Sequence, residues 1–172
     1  RNGMEVGGVF ALSTERELAV AERIARMVPA AELVRFSNSG TEAVMMALKA
    51  ARAHTGRPKI AKCEGAYHGS YDYAEVSLDP TPEAWGRNAP VSVAYAKGTP
   101  DNVLADVVTI PFNDTEAAVS LIREHGPELA GVLGRLWSET RELSHYVEQA
   151  LARARLTPRG NEVARLVLKG LS

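Results

Sequence analysis

Leu33-Val34-Arg35-Phe36-Ser37-Asn38-Ser39-Gly40-Thr41-Glu42-Ala43 is a short apolar run that ends in small polar residues around one glycine. It passes directly into a run of helix formers reaching His54. The order predicts a strand over 33–36, a tight turn, and a helix from Thr41 to about His54. The first amides of a helix lack internal partners, and the aligned peptide dipoles make that end attractive to anions. Gly40 lets backbone approach a bound group closely, and the Ser39 and Thr41 hydroxyls can donate to phosphate oxygens. Two readings follow from these residues alone. The turn is a phosphate cup, or Ser39 or Thr41 is an ordinary helix cap. Glu42 favours the cap, because a carboxylate in the first turn suits the dipole but repels phosphate.

Downstream, Gly56 is the expected helix stop, and Lys59-Ile60-Ala61-Lys62-Cys63 reads as a strand that delivers Glu64-Gly65-Ala66-Tyr67-His68-Gly69 to a loop. Open α/β sheets bind ligands at such strand ends. Taken alone, Tyr67 is a half-buried aromatic and His68 is as well suited to a structural role as to moving protons. Residues 70–106, rich in Pro, Gly, Asp and Asn, read as one long loop. Val107-Val108-Thr109-Ile110-Pro111 is a strand, Asn113 with Glu116 a capping box opening a helix to Gly126-Pro127, and Leu129-Ala130-Gly131-Val132-Leu133 another apolar strand. Upstream, Thr14 and Glu17 form a second capping box. Leu18, Ala21, Ile24, Ala25 and Val28 recur on one helical face, expected to be core, and Pro29 closes that helix. The helix after Gly40 is apolar on most sides and is expected to be buried or covered by a partner. Strand and helix alternate, so the fold class is α/β: a mostly parallel sheet with packed helices.

Ser37-Asn38-Ser39-Gly40-Thr41-Glu42-Ala43 followed by Glu64-Gly65-Ala66-Tyr67-His68-Gly69 resembles the class III aminotransferases that use pyridoxal 5'-phosphate. Within them the chain is most similar to the glutamate-1-semialdehyde 2,1-aminomutase branch. The likeness runs through Phe10-Ala11-Leu12-Ser13-Thr14-Glu15, Gly98-Thr99-Pro100 and Pro111-Phe112-Asn113-Asp114 to about Leu133. It implies the large domain of a fold-type I pyridoxal phosphate enzyme over 1–133, with Ser39, Gly40 and Thr41 on phosphate. Tyr67 would stack on the pyridine ring, with His68 beside it. It further implies a homodimer with subunit contact through the helix after Gly40, amino, keto or semialdehyde substrates, and residues 70–106 near the active site.

Past Leu133 the likeness stops. The family continues through a Val-Glu-Pro segment, an aspartate for the pyridinium nitrogen and a Schiff-base lysine, whereas here the sequence is Gly134-Arg135-Leu136-Trp137-Ser138-Glu139. None of Lys49, Lys59, Lys62, Lys97 and Lys169 stands in the lysine's context, so no catalytic residue is assigned and the chain alone is expected not to turn over. Residues 134–172 read as a helical tail, and 156–172 weakly resemble the opening of a LuxR-type helix-turn-helix, with Gly160 departing from it. The recognition helix for a DNA groove is missing, so nucleic-acid binding is not expected. A regulator fragment and an inert α/β remnant, in which Gly40 and Tyr67 are merely structural, are the alternatives.

Bulk properties agree with a globular chain of 172 residues, 45% hydrophobic and 24% charged, which by length is one domain by default. A formal net charge of −1 makes no case for a polyanionic or membrane partner. No apolar run approaches the roughly 18 to 20 residues of a bilayer span. Cys63 is the single cysteine, so no internal disulfide forms, and a cytoplasmic setting is expected. No cluster of metal ligands stands out.

Overall fold

In the computed structural model, residues 14–28, 31–85 and 88–133 are described. They divide into two compact units, Arg1–Phe36 and Ser37–Ser172. The sequence expectations for residues 1–13 and for the tail 134–172, including the helix-turn-helix likeness and the 133/134 domain boundary, lie outside the described residues.

In the first unit, α1 (Glu15–Met27) opens on the expected box: Glu17 N–H donates to Thr14 Oγ1 at 3.3 Å, and Thr14 N–H donates to the Glu17 carboxylate at 2.7 Å. Its apolar face is not core as expected. No residue of α1 is buried, and Leu18 is exposed. Spacing gives a helix a preferred face but cannot supply what covers it. The expected strand over 33–36 is also absent. These residues join no ladder, and Leu33 is 95% exposed. A strand exists only by pairing, and no described segment pairs with these residues.

That sheet is the frame of the second unit. β1 (Lys59–Cys63), β2 (Val107–Ile110) and β3 (Leu129–Leu133) pair in parallel in the order β2-β1-β3. Ile60 stands opposite Val107 and Cys63 opposite Ile110, while a local irregularity at Lys59/Ile60 shifts the β1–β3 register. Successive strand residues point to opposite faces, which explains two apolar clusters. One joins Ile60, Val107 and Leu133 to Val44 and Leu48 of α2 (Gly40–Thr55). The other joins Ala61, Val108 and Ile110 to Ala118 and Ile122 of α5 (Thr115–His125). Helices thus cover both faces of a parallel sheet, as the fold class requires.

α2 is less enclosed than its composition implied. Only Val44 and Leu48 are buried, and small residues such as Ala43 and Ala50 face outward. It ends at Gly56, whose φ of 68° is the left-handed conformation that glycine adopts without strain. The expected long loop 70–106 contains two short helices, α3 (Asp72–Glu75) and α4 (Asp101–Ala105). It is fastened to β2: Ser92 Oγ donates to Val107 O at 2.6 Å, and Thr109 Oγ1 lies 2.9 Å from Ser92 Oγ and 3.1 Å from Ser77 Oγ. The cap of α5 falls one residue later than expected. Asp114 accepts from Ala117 N–H at 3.0 Å, while Asn113 takes a φ of 58°. Asn tolerates that left-handed position better than most residues, which leaves the capping role to Asp114.

Candidate functional site

Parallel strands bring their carboxyl ends to one edge of the sheet, and the loops that follow β1 and β2 meet there. The link is Glu64, a buried side chain whose Oε1 accepts from Phe112 N–H at 3.2 Å, while its own N–H donates to Ile110 O at 3.0 Å. Gly65, at φ 67°, donates its N–H to Ser77 O at 2.7 Å. Lys62, fully buried, donates from Nζ to Val76 O at 2.6 Å. Burial pulls the Lys62 ammonium down to about 8, with the Cys63 thiolate opposing that shift. The loop carrying Tyr67 and His68 is therefore held at its base by four bonds.

Its far end rests on the start of α2. Gly69 has a φ of 91°, and a Cβ there would lie 2.6 Å from Thr41 Oγ1 and 2.8 Å from Thr41 Cα. Ser70 N–H donates to Thr41 Oγ1 at 3.1 Å. The two motifs found apart in the sequence are thus in contact, through Thr41 on one side and Gly69 and Ser70 on the other. No hydrogen bond joins Ser39 or Gly40 to that loop among the described residues.

At the helix start Ser39 is the cap, its Oγ accepting from Glu42 N–H at 3.2 Å. Glu42 turns back, and its Oε2 accepts from Asn38 N–H at 2.7 Å. One oxygen of that carboxylate is thereby held on backbone, while its charge stays in the first turn. Capping leaves the Gly40 and Thr41 amides without a partner among the described residues. The position a Gly40 Cβ would take has nothing within 4 Å. An exposed helix start with two free amides, a hydroxyl on Ser39 and another on Thr41 can receive an anion. The turn is thus capped by Ser39 and still open in front of Gly40.

Tyr67 is 66% exposed, so its ring is available to a ligand rather than spent in a core. His68 is the reverse, 7% exposed, with Nε2 buried and unpartnered. Burial, and then the positive charge of Lys62, hold its imidazole down at about 4, so it is neutral at physiological pH. Lys97 lies exposed in a turn closed by Gly98 at φ 90°. No metal-binding group occurs among the described residues, and no described helix is long and apolar enough to cross a membrane. Sequence reasoning missed the buried state of Lys62, the link through Glu64, and the seating of Gly69 on Thr41. The glycine directly after His68 was the one visible hint of the last.

Fold and site together define an α/β domain in which an open helix start touches a loop carrying an exposed aromatic ring. Residues 4–132 match the profile of the class-III aminotransferases, and the chain belongs to that family. A glutamate-1-semialdehyde 2,1-aminomutase from Pyrobaculum aerophilum is 41% identical over 130 residues, 76% of this chain and 29% of the relative. An omega-transaminase from Sphaerobacter thermophilus superposes with a TM-score of 0.77 at 44% identity, over 88% of this chain and 36% of that one. A transaminase described with PLP bound superposes with a TM-score of 0.76 at 38% identity, again over 88% and 36%. The chain therefore spans under a third of the length of such curated relatives.

Proposed function

We propose that this chain is the cofactor-holding portion of a class III aminotransferase or aminomutase of the glutamate-1-semialdehyde type, acting on small amino, keto or semialdehyde compounds as a homodimer in the cytoplasm. The observation that carries the reading is the contact of Gly69 with Thr41, which makes the open helix start and the Tyr67 loop one surface. The residues present fit pyridoxal phosphate. The Gly40 and Thr41 amides and the Ser39 and Thr41 hydroxyls would hold its phosphate, and the exposed Tyr67 ring offers a face to its pyridine.

Bound pyridoxal phosphate supplies an electron sink for amino-group chemistry. This chain's own share is to bind and orient. The helix end fixes the anionic end through fixed dipoles, Tyr67 shields one face from water, and His68, neutral and buried, adds no charge beside them. Lys62 is spent on Val76 O, and no lysine here is given a covalent role, so the chain alone binds without turning over.

Titrating the chain with pyridoxal phosphate tests this, using pyridoxal, which lacks the phosphate, as the control. Saturable binding that prefers the phosphorylated form is expected. Thr41→Val should weaken it by roughly tenfold, the size of one charge-assisted hydrogen bond. Equal affinity for the two compounds would favour the inert remnant.

A further inference from the structure

We propose that Gly69 and the Thr41 hydroxyl form a joint that makes the position of the Tyr67 loop depend on what fills the start of α2. This rests on the phosphate-holding reading above and adds a positioning role for Gly69 and Ser70. At φ 91°, Gly69 brings the loop so near the helix that a Cβ would sit 2.8 Å from Thr41 Cα, a backbone atom that no rotamer change can move aside. The lack of a side chain is thus required twice, by conformation and by space.

The same close approach sets the hydrogen bond from Ser70 N–H to Thr41 Oγ1 at 3.1 Å. A threonine hydroxyl has two lone pairs and one proton. Ser70 occupies a lone pair and leaves the proton for an acceptor at the helix start, where the Thr41 amide is also free. A hydroxyl that donates its proton to an anion becomes a better acceptor, so filling the helix end strengthens the bond to Ser70. At its base the loop is fixed by Gly65 N–H on Ser77 O and by Glu64 on Phe112 N–H. The span between that base and the joint holds Tyr67 and His68, so a ligand on the helix start also orders the residue that would lie against its ring.

Amide hydrogen exchange on the full 172-residue chain, with and without saturating pyridoxal phosphate and with inorganic phosphate in a parallel arm, tests the joint. Ligand should slow exchange at 38–42 and, by roughly fivefold, at 66–70 as well. In Thr41→Val the protection at 38–42 should persist at saturation while that at 66–70 is lost, and Thr41→Ser should restore it. Gly69→Ala should uncouple the two segments in the same way, and if that variant does not fold, the Thr41 pair carries the test. Protection at 38–42 without 66–70 in the wild type, or coupling that survives Thr41→Val, overturns the joint and leaves the phosphate holder standing. No protection at 38–42 with either ligand overturns both.

Discussion

His68 and Lys62 are both buried, and burial holds each away from its ordinary protonation. For His68 the folded value is about 4 against 6.5 for the free side chain. Between those values the unfolded chain binds the proton and the folded chain does not. Stability is therefore full above about pH 6.5 and is lost as pH falls through 4. At about 1.4 kcal/mol per unit the loss is on the order of 3 kcal/mol. His68→Gln should flatten the melting-temperature profile from pH 6.5 to 4, and the wild-type imidazole should titrate by NMR near 4. A midpoint near 6.5 would mean the ring meets water. For Lys62 the folded value is about 8 against 10.5. The folded chain sheds this proton first, so stability rises as pH climbs through that window. Burial pushes the neighbouring Cys63 thiol upward, which acts in the opposite sense, and the two groups influence each other, so the rise is isolated by comparing Cys63→Ala with Cys63→Ala/Lys62→Met. Neither group was legible as buried from its neighbours in sequence. Lys62 meets Val76 O, on the loop of 70–106, and nothing in the composition of that loop discloses that it folds back to β1.

Among the elements, α2 separates a glycine kept for the fold from one kept for a ligand. Gly56 has a φ of 68° and open space around it, so only conformation opposes a side chain there. Gly56→Ala should lower stability by about 1 kcal/mol and leave ligand affinity unchanged. Gly40 is the first residue of the helix, has no left-handed φ and also meets nothing within 4 Å. Gly40→Ala should keep or raise the melting temperature, since alanine is the better helix former by about 1 kcal/mol. It should nonetheless weaken pyridoxal phosphate binding, because the methyl enters the space in front of the free amides. Chemical denaturation and ligand titration of the two variants give opposite pairs of results if the assignment is right. Elements set by local chemistry were the ones the sequence disclosed. The Gly56 stop, the Thr14 and Glu17 box and the apolar strands β1, β2 and β3 all follow from neighbours a few residues away. Residues 33–36 looked equally like a strand, yet a strand needs a pairing partner that local sequence does not specify, and no described strand pairs with them. Asn113 and Asp114 both could have capped α5, and the backbone angle at Asn113 decided between them.

For the whole molecule, the site is assembled from pieces that the unfolded chain keeps apart. Thr41 and Ser70 are 29 residues apart in sequence and touch only because α2 and β1 share the cluster of Val44, Leu48 and Ile60. Each half of the site was legible as a motif, but their contact was not, since it depends on how the sheet stacks the helix start over the strand end. The same dependence makes ligand binding a global stabiliser. A compound that needs the helix start and the Tyr67 loop together has no site on the unfolded chain, so mass action favours the fold by about 2.7 kcal/mol at a hundredfold excess over Kd. At roughly 2–4 °C per kcal/mol for a chain of this size, the melting temperature should rise by roughly 5–11 °C and keep rising with the logarithm of pyridoxal phosphate concentration. Pyridoxal at the same concentration should give a much smaller shift, because the free amides of Gly40 and Thr41 then have no anion to meet. Thr41→Val should reduce the shift for pyridoxal phosphate while leaving that for pyridoxal alone. A rise of equal size with both compounds, unchanged in Thr41→Val, would locate binding somewhere other than the start of α2.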